Sequence, residues 1–192
     1  MNRAYEKDQK YKGVNFTAGG LNKGGEYEDC VFSACNFSGQ DMSGMVFIGC
    51  RFDQCDLSMA KLMNTSFQDI QFQGCKQLGL RFDECSKKIL SFSFEACKLN
   101  LSVFVGLKLK GTQFKDCQLC EVDFGGCDLI QADFSNSDLD RSQFQNTNLE
   151  GADFRTAYNF SIDPELNRVR KARFSTDGLL GLLGKYQIVV EG

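Results

Sequence analysis

Cysteine is the residue type in this chain with the widest chemical potential. Ten of them (Cys30, Cys35, Cys50, Cys55, Cys75, Cys85, Cys97, Cys117, Cys120 and Cys127) stand among 192 residues. Thiols in that number could build a disulfide framework, hold a soft metal ion or supply a thiolate nucleophile. One spacing is suggestive, the C-x-x-C of Cys117 and Cys120, but a structural zinc site takes four ligands. The chain has no histidine, so the commonest metal ligand and the usual general base at neutral pH are both missing. A Ser-His-Asp or Cys-His arrangement is therefore excluded. Without a signal-peptide pattern in the polar start Met1 to Lys12, a reduced, cytoplasmic setting is the expectation, with free thiols.

The elements that carry these thiols follow an unusual rule. Cys30, Cys35, Cys50, Cys55 and Cys75 differ by multiples of five, and each stands two residues before Phe32, Phe37, Phe52, Leu57 or the off-type Gln77. That phase runs Phe32, Phe37, Met42, Phe47, Phe52, Leu57, Leu62, Phe67, Phe72 and Phe82, interrupted only by Gln77. After a slip of two residues around Cys85 to Phe92 a second series opens. It alternates Phe and Leu from Phe94 to Phe154: Phe94, Leu99, Phe104, Leu109, Phe114, Leu119, Phe124, Leu129, Phe134, Leu139, Phe144, Leu149 and Phe154. The residue two before is mostly small, as in Cys97, Ser102, Cys117, Cys127, Ala132 and Ser137. A step of five fits neither an ordinary helix nor a flat strand. Self-similarity at a short fixed step signals a solenoid, whose units bury their apolar face only by stacking.

The motif is a small residue, then Asp or Asn, then Leu or Phe, then two polar residues; Ala132-Asp133-Phe134-Ser135-Asn136 and Ala152-Asp153-Phe154-Arg155-Thr156 are clean copies. It resembles the pentapeptide-repeat family from about Val14 to Ala157. The resemblance implies an all-β solenoid, a right-handed quadrilateral β-helix with four repeats to a coil, and both the large and the small residue turned inward. Residues 20 apart then stack about 4.8 Å from each other. Phe94, Phe114, Phe134 and Phe154 should form one column and Phe104, Phe124 and Phe144 the opposite one. About seven coils make a rod about 34 Å long. Nine cysteines keep the repeat's phase, eight of them in the small inward slot, where Cys serves as a small hydrophobe; only Cys120 faces out. Parallel side chains one strand apart exceed the usual Cβ separation of a disulfide. No cofactor or metal is expected.

Three segments follow: an N-terminal tail at 1–13, the β-helix at 14–157 and a cap at 158–192. The first dozen residues are expected either to be disordered or to cover the open end. In the cap, Ser175 suits an N-cap, Phe174 and Leu179 have the spacing of a hydrophobic staple, and Leu179, Leu182, Leu183 and Tyr186 fall on one helical face. A final strand, Gln187 to Glu191, contributes Ile188 and Val190. This ending is similar to that of Qnr, MfpA and albicidin-resistance proteins, which implies a homodimer joined through the C-terminal helix and strand. The alternative is a monomer whose helix covers its own last coil.

The net charge of −3 hides a polarised rod. From Asp116 to Asp153 nine acids (Asp116, Glu121, Asp123, Asp128, Asp133, Asp138, Asp140, Glu150, Asp153) face one base, Arg141; from Arg81 to Lys115 the balance is +4. Five of the nine sit where the motif favours Asp or Asn anyway, so a solvated repeat consensus explains many of them and the acids ring the rod. The resemblance implies a non-enzymatic DNA mimic that engages DNA gyrase or topoisomerase IV and protects it against drugs such as quinolones, without binding nucleic acid or membrane itself. Qnr-type members carry projecting loops, whereas here the phase from Phe32 to Phe72 leaves no room for one. A general protein-interaction scaffold is the alternative. An enzyme needs a pocket that a narrow filled core does not offer.

Overall fold

The computed structural model describes residues 4–19, 21, 24–88 and 90–189. Short strands run β1 (Tyr5–Lys7), β2 (Lys10–Lys12), β3 (Glu26–Glu28), β4 (Val31–Ser33), β5 (Val46–Ile48), β6 (Arg51–Asp53), β7 (Ser66–Gln73), β8 (Leu90–Glu95) and β9 (Phe114–Lys115). Every pairing between them is parallel, as are the isolated bridges that continue the ladders to Arg168 and Arg173. Most partners are offset by four repeats, as Asp123 is from Gln143 and Asp133 from Asp153. Four steps of five therefore close each coil of a four-sided spiral.

Local chemistry sets the step of five. At many corners the carbonyl of the large inward residue accepts the N–H three residues on, as in Phe37 to Gln40 (2.9 Å) and Leu129 to Ala132 (3.0 Å). That corner forces the residue two after the large one to positive φ, for example Gln131 at 57° and Asn136 at 57°. The Asp or Asn before the large residue folds over the corner: its Oδ1 accepts the N–H two residues on, at 2.9 Å for Asn36, 2.8 Å for Asp123 and 3.0 Å for Asp133. The small inward residue finishes the unit. Its thiol or hydroxyl donates to the carbonyl of the large residue one coil below, as Cys55 to Phe32 (3.2 Å), Cys127 to Phe104 (2.9 Å) and Thr147 to Phe124 (2.9 Å).

Four inward columns fill the tube. On the first wall nine rings stack in one file, Tyr11, Phe32, Phe52, Phe72, Phe94, Phe114, Phe134, Phe154 and Phe174, with centroids 4.7–5.3 Å apart. That file runs beyond the seven coils expected, because Tyr11 and Phe174 lie outside the span assigned to the repeats. The third wall carries Phe82, Phe104, Phe124 and Phe144, also stacked. Rings of the two opposed files meet edge to face, as Phe114 and Phe124 do at 5.5 Å and 80°. Such pairs contribute about 0.5–1.5 kcal/mol beyond their buried area. Leu99, Leu119 and Leu139 line the second wall and Leu109, Leu129 and Leu149 the fourth, all buried.

Both ends depart from the expected boundaries. The tail expected at 1–13 instead joins the spiral through β1 and β2, which pair with β3 and β4. Glu6 turns toward Tyr11, whose hydroxyl donates to its Oε2. Lys7, Lys10 and Lys12 line these strands, which guards an open edge against further pairing. At the other end the stacking continues past Ala157 to Phe174. The main irregularity lies between, where the coil from Phe72 to its partner Phe94 is longer than its neighbours and the register of β7 and β8 shifts between Phe67 and Ile70.

Gln77 breaks the second column. Its side chain is wholly buried between the levels of Leu57 and Leu99, and neither Oε1 nor Nε2 has a partner. An unsatisfied buried amide costs about 1–3 kcal/mol. Gln77→Leu is therefore expected to raise the unfolding free energy by about that amount, read from urea melts; an unchanged or lower midpoint would show that the amide is paired.

Candidate partner-binding surface

The nine acids that the sequence singled out do not gather on one face. Asp123, Asp128, Asp133 and Asp138 occupy successive walls of one coil, one carboxylate per wall, with Asp153 one coil beyond Asp133. They form a belt. Each of these five commits one oxygen to its corner N–H, at 2.8–3.3 Å. Asp116 and Glu121 stand on corners at positive φ, and Asp140 and Glu150 flank corners of their own.

Their counterions differ. Arg155 holds Asp153 at 2.7 Å and Arg173 approaches it at 3.8 Å, so the hydrogen bond from Arg155 keeps the Asp153 carboxyl below its ordinary range. Lys115 lies 3.5 Å from Asp133, and Arg141 bridges Glu121 and Asp140 at 3.1 Å each. Asp116 and Asp138 accept the amides of Asn136 and Asn159. Among the described residues Asp123, Asp128 and Glu150 have no ion pair within 4.0 Å. The register also reveals an asymmetry across the rod that reading along the chain missed. Asp116, Glu121, Asp138 and Asp140 cluster on the second wall and its corners, while Lys108, Lys110, Arg168, Arg170 and Lys171 outnumber Asp128 and Glu150 on the fourth wall and its corner toward the first. Grouping positions by their remainder on division by 20 would have found it.

Nine of the ten cysteines occupy packing positions. All ten are free thiols, nine buried and Cys120 half-buried. Burial pushes Cys50 and Cys127 up to about 12, and Cys120 also above its usual value, by burial first and then by Asp138. Among the described residues no group of three His, Cys, Asp or Glu could hold a metal.

The cap differs in detail from its expected form. Among the described residues of the cap only Leu180–Leu183 is α-helical (α1), between 3-10 turns at Asp177–Leu179 and Gly184–Tyr186. Ser175 Oγ accepts the Gly178 N–H at 3.1 Å, as an N-cap should. Phe174 stacks on Phe154 instead of stapling Leu179, which stays 47% exposed. The glycines allow close docking: a Cβ on Gly181 would lie 2.5 Å from the Phe160 carbonyl oxygen. Leu182 packs on the core and Leu183 is half-buried, while Tyr186 and Ile188 are exposed. Residues 187–189 form no strand, and Val190 lies outside the described residues, as does Glu191 of the expected strand.

Stacked parallel corners, a filled core and the repeated Asp/Asn cap define a pentapeptide-type solenoid. Residues 81–154 match the family described as pentapeptide repeat region and residues 30–69 that described as pentapeptide repeats (8 copies). The chain belongs to the pentapeptide-repeat family. Its fold is similar to that of a trypsin-treated variant of QnrB1, a plasmid-mediated fluoroquinolone resistance protein (TM-score 0.63, 20% identity, 98% of this chain and 100% of that one). It is also similar to HetL of the cyanobacterium Nostoc sp. strain PCC 7120, a pentapeptide repeat protein involved in heterocyst differentiation regulation (TM-score 0.69, 14% identity, 92% and 88%). No curated protein sequence matches the chain.

Thiol counting tests the packing. Native protein at pH 8 should release one alkylatable thiol within minutes and all ten in denaturant, with the fast one abolished by Cys120→Ser. Any fast thiol remaining in that variant would contradict the inward placement of the other nine.

Proposed function

We propose that this protein is a non-enzymatic binding protein whose acidic coils engage the DNA-binding surface of DNA gyrase or topoisomerase IV. The belt of carboxylates is the observation that carries this reading. From Asp116 to Asp153 the net charge is −8 within two coils, which is about one charge per 1.2 Å of rod, against about 1.7 Å of axis in duplex DNA. A groove selected for DNA would attract such a belt and bind it in a salt-dependent manner. The likeness to QnrB1 supports the reading at the level of fold, and drug protection belongs to the same proposal.

The protein acts as a homodimer in the cytoplasm under this reading, with Leu179, Leu183, Tyr186 and Ile188 at the contact; Leu182 of the expected interface packs on the protein's own core, and Val190 lies outside the described residues. Leu179, Leu180, Tyr186, Ile188 and Val189 leave the cap with an apolar surface at one end of the rod. Two copies joined there would bring their acidic coils toward each other. No helix among the described residues is long and apolar enough to cross a membrane. The second reading, a scaffold for an unrelated partner, is favoured by the likeness to HetL, whose described role is developmental.

Titration into gyrase supercoiling and topoisomerase IV decatenation assays separates the two. Inhibition or quinolone protection is expected at micromolar protein, weakening as salt rises. The quadruple variant Asp123→Asn, Asp128→Asn, Asp133→Asn, Asp138→Asn keeps every corner acceptor yet removes four charges, so it should fold normally and lose at least tenfold in potency. No effect of the parent protein on either enzyme would sink the reading in favour of the scaffold. A solution mass near 21.5 kDa instead of twice that value would exclude the dimer.

A further inference from the structure

The edge between the second and third walls carries a combination that the fold does not require. Among the described residues eighteen non-glycine positions have positive φ, and of these only Met59 (56°) and Leu101 (64°) bear large apolar side chains. Both are also exposed, at 66% and 57%. Each is doubly unfavourable, as a left-handed corner that resists any Cβ and as apolar surface left in water. Other corners use Gly, Asn, Asp or small and polar residues. Paired costs of this kind, recurring on one edge, mark a functional surface.

The two side chains are neighbours along the rod. Met59 N–H donates to Leu78 O (2.9 Å), Gly79 N–H to Asn100 O (3.0 Å), Leu101 N–H to Cys120 O (3.0 Å) and Glu121 N–H to Asp140 O (2.8 Å). One ladder therefore runs from Met59 through Gly79 and Leu101 to Glu121 and Arg141. Gly79, between them, makes room for the Met59 thioether, whose sulfur lies 2.6 Å from where a Gly79 Cβ would stand, so the Met59 side chain extends along the edge toward Leu101. Beyond Leu101 the edge turns acidic, with Glu121, Asp138 and Asp140 against Arg141 alone.

We propose that this edge docks an amphipathic helix of a partner protein, apolar residues against Met59 and Leu101 and a basic residue against Glu121, Asp138 and Asp140. A strand cannot add here, because the corner N–H groups are already bonded from coil to coil. Helix spacing fits. Met59 and Leu101 are two coils apart, about 10 Å, and seven helical residues rise about 10.5 Å. Two more coils reach Asp140, so the partner pattern is apolar at i and i+7 with Lys or Arg near i+14. The proposal does not depend on the partner being a topoisomerase, and the supercoiling result leaves it standing or falling on its own test.

The probe is a fluorescein-labelled, alanine-based peptide of five helical turns, about 18 residues at 3.6 per turn, with Leu at positions 2 and 9 and Lys at 15 and 16. Anisotropy should show saturable binding in the micromolar range, at least tenfold weaker for the same peptide with Glu at 15 and 16. Bound peptide should slow alkylation of Cys120, which borders Leu101. The double variant Met59→Gly, Leu101→Gly should unfold at an equal or higher urea midpoint, since glycine suits both corners, while binding at least tenfold more weakly. No binding at millimolar protein, equal binding by the double variant, or a lower urea midpoint for it would each overturn the proposal.

Discussion

Everything in this molecule depends on one spacing, the separation of adjacent parallel strands. A flat aromatic ring is the side chain that fills such a repeat without a gap, and the file from Tyr11 to Phe174 is built at centroid separations of 4.7–5.3 Å. Each ring within the file contacts the one above and the one below; Phe94, Phe114, Phe134 and Phe154 also meet edge-on rings from the opposite file, and the earlier rings meet edge-on rings from the adjoining walls. The tube is too narrow for a third layer. This favours smaller residues at every other inward position, and Cys, Ser, Thr and Ala fill most of those slots, with Met45, Ile70, Leu80, Leu107 and Val122 in the others. The same slot then needs a donor for the carbonyl beneath it, which a thiol or hydroxyl supplies and Ala does not. Cysteine abundance is thus a consequence of core width, and its reactivity is suppressed by the burial that selects it.

Much of this was legible in the sequence because the period of five survives substitution of any single residue. The ends were less legible for a definite reason. Glu6, Tyr11, Phe16 and Leu21 keep the same step of five, but lysines around Tyr11 and a carboxylate at the first inward position disguise it as a polar tail. The phase also continues from Phe154 through Asn159 and Pro164 to Val169 and Phe174. Those two intervening positions are not part of the apolar pattern, and Phe160 and Ile162 take the interior there. The cap was harder still. Glycines that lower helix propensity are the ones that let it approach Phe160, so propensity and docking oppose each other and packing decides the outcome.

Charge was legible along the chain but not around it. Linear counting finds an acidic half and a basic stretch. Only the coil length converts these into sides, placing Asp138 and Asp140 opposite the wall that carries Lys108 and Arg168. The apolar edge at Met59 and Leu101 was invisible for a related reason. Neither residue violates the motif, since the two positions after the large residue accept many types, and only the backbone angle exposes the cost.

The corner cap explains why acidity and stability can vary separately in this fold. The cap needs an oxygen that accepts one N–H, and Asn supplies it as well as Asp: Asn15, Asn36 and Asn148 cap their corners with the same geometry as Asp123 or Asp133. A run of four Asp around one coil is consequently more than the backbone asks for. Four like charges around one narrow coil repel each other, and burial of one oxygen against the corner does not relieve that. Arg141, Lys115 and Arg155 offset part of the repulsion at particular points and leave Asp123 and Asp128 open. Carboxylates that an amide could replace, held rigidly by the backbone and left partly uncompensated, are therefore the part of the consensus that the fold alone does not account for.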